Sequence, residues 1–126
     1  MTVCVDFDGT MVRHKYPAIG EEIPGAVDTI KKLMKDGNQI ILWTMRSGAQ
    51  LQEAVNWCHL KGIQLFNVNN NPNQLVWTTS PKCYAQLYID DSALGCPLMK
   101  DGEDVFVDWR IVQSYLYAAG FLKEPK

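Results

Sequence analysis

The 126-residue chain is 47% apolar and 21% charged, with a formal net charge of −2. That length supports one sizeable core and not two, and the charge balance gives no general reason to expect nucleic acid or an anionic membrane as partner. No apolar run approaches the roughly 20 residues of a membrane span, and no basic-then-apolar leader opens the chain, so a cytoplasmic globular domain is expected.

Residues 2–7 read as a buried strand running into Asp6, Asp8, Gly9 and Thr10. Residues 11–24 carry Pro17, Gly20 and Pro24 and read as a loop, with Pro24 in the first turn of a helix. Ala26, Val27, Ile30, Leu33 and Met34 recur at helical spacing until "KDGN" stops them. "QIILW" is apolar enough for a strand covered on both faces. After Thr44 and "MRSG", a helix with Leu51, Ala54, Val55, Cys58 and Leu60 on its apolar side runs to Gly62. "IQLFNV" is a third strand, "NNNPNQ" reads as a surface loop, and "AQLYID" is a fourth strand ending in Asp90-Asp91. A loop with Gly95, Pro97 and Gly102 leads to a final helix around 108–119, apolar through Trp109, Val112, Tyr115 and Leu116. Trp43 and Trp77 read as core or rim residues. The four cysteines, Cys4, Cys58, Cys83 and Cys96, are scattered without a CxxC and read as reduced thiols; Cys58-His59 sits inside a helical pattern and reads as packing, not chemistry.

Strands alternating with helices predict an α/β fold, a three-layer Rossmann-like open parallel sheet with right-handed crossovers and helices on both faces. Ligands of such sheets sit outside the carboxyl ends of the strands. Asp6 and Asp8 follow the first strand, Thr44 the second and Asp90-Asp91 the fourth, so all converge on one edge. Four carboxylates in one crevice repel each other unless a cation or protons intervene. A hard divalent cation such as Mg²⁺ takes carboxylate and phosphate oxygens together, so Asp6, Asp8, Asp90 and Asp91 are candidate metal ligands. A carboxylate can also act as nucleophile toward phosphorus, a neighbouring acid can move the proton, and a hydroxyl such as Thr44 and a cation such as Lys82 can hold the phosphoryl oxygens. Arg46 has a fork of donors suited to the same substrate phosphate. His14, Lys15 and Tyr16 are further candidates to face it. Thr44 has a competing role as a helix N-cap, shared with Ser47, and Lys61 is the alternative to Lys82.

"VDFDGT", "ILWTMR", Lys82 within "SPKCYAQLYIDD", and "YIDD" itself resemble, in order and spacing, the four motifs of the haloacid-dehalogenase-like (HAD) phosphohydrolase superfamily. Within it the chain is similar to small capless bacterial proteins sharing "VDFDGT", "IGEEIP" and "IDD". The resemblance implies a single HAD-like domain over residues 1–126 and an Mg²⁺-dependent phosphomonoesterase with an aspartyl-phosphate intermediate. By position it implies Asp6 as nucleophile and metal ligand, and Asp8 as general acid/base that also lends its backbone carbonyl to the metal. It further implies Thr44 and Lys82 around the phosphoryl group, Asp91 touching the metal directly, and Asp90 acting through water or on Lys82. Neither Thr10 to the first helix nor Thr44 to Lys82 has room for a cap domain. The expectation is therefore either weak, broad activity on small phosphate esters, a sugar phosphate for instance, in an open crevice, or specificity from a large substrate or another subunit of a homo-oligomer acting as the lid. The rival expectations are a receiver-like phosphoacceptor and a non-catalytic interaction domain. Strands two and three ending without aspartate speak against the receiver.

Overall fold

The computed structural model describes residues 1–123. Within them, β1 (Thr2–Val5), β2 (Gln39–Leu42), β3 (Leu65–Val68) and β4 (Leu87–Ile89) form one sheet in the order β3-β2-β1-β4. Every pairing in it is parallel: Cys4 lies opposite both Ile41 of β2 and Tyr88 of β4, and β3 joins β2 with an irregularity between Ile40 and Ile41. The α/β class and the open parallel sheet expected from the alternating pattern are therefore present. No helix among the described residues is long and apolar enough to cross a membrane.

β1 is central and buried along its whole length. Its alternate residues serve two different layers, as the period of two requires. Val3 and Val5, with Ile40 and Leu42 of β2, belong to a large apolar cluster. That cluster takes residues from α1 (Ala26–Lys35), α2 (Gly48–Leu60) and α3 (Trp109–Ala118) together. Cys4 and Ile41 face the other way, into a small cluster completed by Cys83 and edged by Trp43, Phe66, Ala85 and Tyr88. The expectation of helices on both faces is thus corrected. Both βα crossovers leave β1 in the same direction, β1 to β2 to β3, so their right-handed helices share one face. The return from β3 to β4 covers the opposite face, and its one helical element is a five-residue 3₁₀ turn, Pro72–Val76.

That return segment contains "NNNPNQ", and it is more ordered than a surface loop. Asn71 and Gln74 are buried. The Asn71 side chain accepts from Asn73 N–H and donates to the Tyr84 carbonyl. The Gln74 amide donates to the carbonyls of Ser80 and Lys82 and accepts from Tyr84 N–H. One buried glutamine therefore ties down the stretch that carries Lys82 and Cys83.

α1 follows its expected stripe, with Ala26, Val27, Ile30 and Leu33 buried. Pro24 stands ahead of the helix rather than in its first turn, because Gly25 occupies the N-cap in the left-handed region (φ 85°). In α2 the buried pair is Ala54 and Cys58, while Leu60 is 86% exposed. Two residues beyond Cys58 is about 200° around a helix, which puts Leu60 on the opposite side. Likewise Tyr115 is exposed on α3 while Trp109, Val112 and Leu116 are buried. The span after β4 is not only loop: β5 (Leu98–Asp101) and β6 (Asp104–Val107) form an antiparallel hairpin around Gly102-Glu103. Glycine at the first turn position, Gly102 with φ 64°, is a recognisable two-residue hairpin signal. Arg13 grips this hairpin through Asp101 (2.7 Å) and Asp104 and lies over the Phe106 ring.

Candidate metal and phosphate site at the sheet edge

The chain leaves β1 at Val5, and Asp6 N–H donates to Ile89 O, so Asp6 sits beside the end of β4. The backbone then folds tightly back. The N–H groups of Thr10, Met11 and Val12 all reach Phe7 O, and Gly9 N–H reaches Val12 O. Gly9 has φ 83°, and a Cβ there would overlap His14 Nε2 and Asp91 Oδ2. Glycine is required for both reasons. Among the described residues the backbone N–H groups of Phe7 and Asp8 have no acceptor within the chain, which leaves two donors next to Asp6.

Asp6, Asp90 and Asp91 come together: one ligand oxygen from each lies within 4.8 Å of the others. Burial is the main force pushing the Asp6 carboxyl up, to about 8, and the charges of Asp90 and Asp91 add to it while the Thr10 hydroxyl opposes it. Asp90 is also raised, again chiefly by burial, against the pull of its bond from Ser92 N–H. Three acids so placed are either partly protonated or neutralised by a cation. An all-oxygen, all-carboxylate donor set with room for water is the chemistry that Mg²⁺ prefers.

Thr10, expected only as part of the motif, proves central. Its side chain is fully buried; its hydroxyl donates to Asp6 Oδ2 at 2.8 Å and accepts from Asp91 N–H. Its carbonyl accepts from the Trp109 indole at 2.6 Å, anchoring the turn to α3. Thr44 lies with Asp6, Asp90, Trp43, Met45 and Asn69 around a cavity of about 350 Å³. Asn69 was not anticipated. It adopts φ 60°, a conformation asparagine tolerates, and its Oδ1 accepts from Thr44 N–H at 2.8 Å. Ser47 stands at the N-cap of α2, while Thr44 Oγ1 accepts from Arg46 N–H at 3.1 Å. His14 also reaches the cluster, 2.9 Å from Asp91 Oδ2. Tyr16 lies over Arg46 instead, and Lys15 is exposed.

Three expected site residues stand elsewhere. The Asp8 side chain is outside the acid cluster, because Arg46 takes both of its oxygens at 2.8 Å. Arg46 in turn is buried, not aimed at the cavity, so its place as a substrate-phosphate contact is corrected. A buried guanidinium goes where carboxylate and carbonyl partners can satisfy it. Lys82 is exposed and, among the described residues, forms no ion pair with Asp90 or Asp91. Lys61, the alternative, is committed to Glu22 at 3.1 Å and to the Trp57 ring, which removes it from the site. A second cavity, of about 240 Å³ between β4, the 93–97 loop and α3, is lined by apolar groups and tyrosines without a carboxylate.

No family model matches the sequence, and no curated protein matches it. A solved structure is similar to this chain: a conserved protein coded by a locus of Bacteroides thetaiotaomicron, 39% identical, with 95% of this chain and 90% of that one covered and a TM-score of 0.77.

Proposed function

The chain belongs to the same family as that conserved Bacteroides thetaiotaomicron protein, and we propose that it is a Mg²⁺-dependent, capless HAD-type phosphomonoesterase carrying a transient phosphoryl group on Asp6. One observation supports this most: Asp6, Asp90 and Asp91, far apart in sequence, meet at the carboxyl edge of the parallel sheet within 4.8 Å. Gathering three half-buried acids serves no packing purpose. When bound there, Mg²⁺ would offset their charge and that of a phosphoryl oxygen.

In this reading an Asp6 oxygen forms a bond to phosphorus as the bond from phosphorus to the leaving oxygen breaks. Asp8, which accepts from Arg46 at both oxygens, takes up a proton on a remaining lone pair and gives it to that oxygen. In the second half, water attacks phosphorus, its proton passes to Asp8, and the bond from Asp6 to phosphorus breaks to release orthophosphate. The Thr44 hydroxyl and the Phe7 and Asp8 N–H groups hold the phosphoryl oxygens. Lys82, exposed and, among the described residues, unpaired with Asp90 or Asp91, would swing in as the charge-balancing cation when substrate binds, since Lys61 is engaged by Glu22. The cavity is lined in part by Met45, which is 99% exposed, so a small phosphomonoester such as a sugar phosphate is held loosely there unless a large substrate or a second subunit closes over it.

The test is release of orthophosphate from p-nitrophenyl phosphate by purified protein with and without Mg²⁺. Many turnovers per molecule, in Mg²⁺ alone, are expected. A receiver-like domain would accept a phosphoryl group once from an activated donor without turning over monoesters, and an interaction domain would do neither.

A further inference from the structure

We propose that Arg46 is a positioning residue that fixes the Asp8 carboxylate and the Tyr16–Ala18 segment as one unit against the turn that follows β1. The proposal rests on the reading of Asp6 and Asp8 above. Arg46 is 3% exposed, an uncommon place for a permanent charge. All five of its N–H donors have acceptors. Nε and one Nη2 hydrogen form a fork on Asp8 Oδ2 and Oδ1, each at 2.8 Å. The remaining donors go to the carbonyls of Ala18 (2.8 Å), Pro17 (3.1 Å) and Gln50 (3.5 Å). The guanidinium lies 5.1 Å from the ring centres of both Phe7 and Tyr16.

A two-pronged bond sets the plane of a carboxylate as well as its position. Among the described residues the Asp8 side chain has no other hydrogen-bond partner, so Arg46 alone sets its orientation. The Arg46 backbone is tied to the phosphate-facing side by its N–H to Thr44 Oγ1. A single residue therefore joins three parts: the Thr44 turn, the group that moves the proton, and the Tyr16–Ala18 loop. Lysine cannot reproduce the fork, although it keeps the charge. Small errors in the placement of a proton donor cost large factors in rate, and they matter only where the leaving oxygen needs a proton.

Arg46→Gln and Arg46→Lys are compared with the wild-type protein on phenyl phosphate, whose leaving group needs protonation, and on 2,4-dinitrophenyl phosphate, whose leaving group does not. The expected kcat loss is about 10²-fold or more on the first and under about 10-fold on the second. Adding Arg46→Gln to Asp8→Asn is expected to slow phenyl phosphate turnover no further. Equal losses on both substrates, or additive losses in the double variant, overturn the proposal, because a merely structural arginine would act so. Circular dichroism reports folding; if Arg46→Gln is unfolded, Arg46→Lys is read in its place, and if neither folds the residue is structural and the proposal is overturned. An inactive wild-type protein, or an active Asp6→Asn variant, overturns the proposed function and this inference with it. Active wild type, inactive Asp6→Asn and an even loss in Arg46→Gln overturn the inference alone.

Discussion

Asp6→Asn is expected to lower phosphate release by at least on the order of 10⁴-fold while leaving the protein folded. The amide is a poor nucleophile of nearly the same shape. Its oxygen still accepts from the Thr10 hydroxyl, which donates to Asp6 at 2.8 Å in the native chain. The same substitution has a consequence for stability that separates it from a general loss of fold. Burial raises the Asp6 carboxyl from its ordinary 3.8 to about 8 in the folded chain. A raised acid contributes its full stability below its unfolded value and loses it as pH climbs through the folded one. Without metal, wild type therefore weakens between about pH 4 and pH 8, and Asn does not follow it. Asp6→Asn is expected to melt at or above wild type at pH 8 in chelator, with the gap closing toward pH 4. Retained turnover in a preparation free of other phosphatases would remove Asp6 from the mechanism.

The second large effect is that of the metal. Exhaustive chelation is expected to abolish turnover, and Mg²⁺ to restore it. Because a cation and a proton compete for the same oxygens of Asp6, Asp90 and Asp91, metal binding releases protons. The rise in Tm produced by Mg²⁺ is expected to grow from pH 5 to pH 8. At a concentration a hundredfold above Kd, binding adds about 2.7 kcal/mol, on the order of 10 °C for a domain of this size. The rise should be largely lost in Asp91→Asn. A melting temperature indifferent to millimolar Mg²⁺ at pH 8, with turnover surviving chelation, contradicts the assignment of the acid cluster to a cation.

The sheet was legible because parallel strands covered on two faces leave unbroken apolar runs, as in "TVCV" and "QIIL". The convergence of Asp6, Thr44 and Asp90-Asp91 was legible too, since strand tips of such a sheet share an edge. The β5–β6 hairpin was harder to see: Leu98–Asp101 is exposed throughout and two aspartates flank its turn, so burial writes no pattern into it. Leu60 and Tyr115 are exposed because the angle around the helix, not apolar residue type, decides which side chains reach the core. At the site, a sequence names a donor such as Arg46 but not its acceptors. Only the fold shows the Pro17 and Ala18 carbonyls turning inward to meet it. Thr10 and Gln74 were hidden for the same reason, as neutral polar residues whose importance lies in burial and partners.

The most direct measurement of the central idea is to quench the protein with acid during turnover in Mg²⁺ and weigh the tryptic peptide Met1–Arg13. One added phosphoryl group is expected, mapped to Asp6 by borohydride reduction of the acyl phosphate and absent from Asp6→Asn. Steady orthophosphate release with an unlabelled peptide, or with the label on Asp8, contradicts the account.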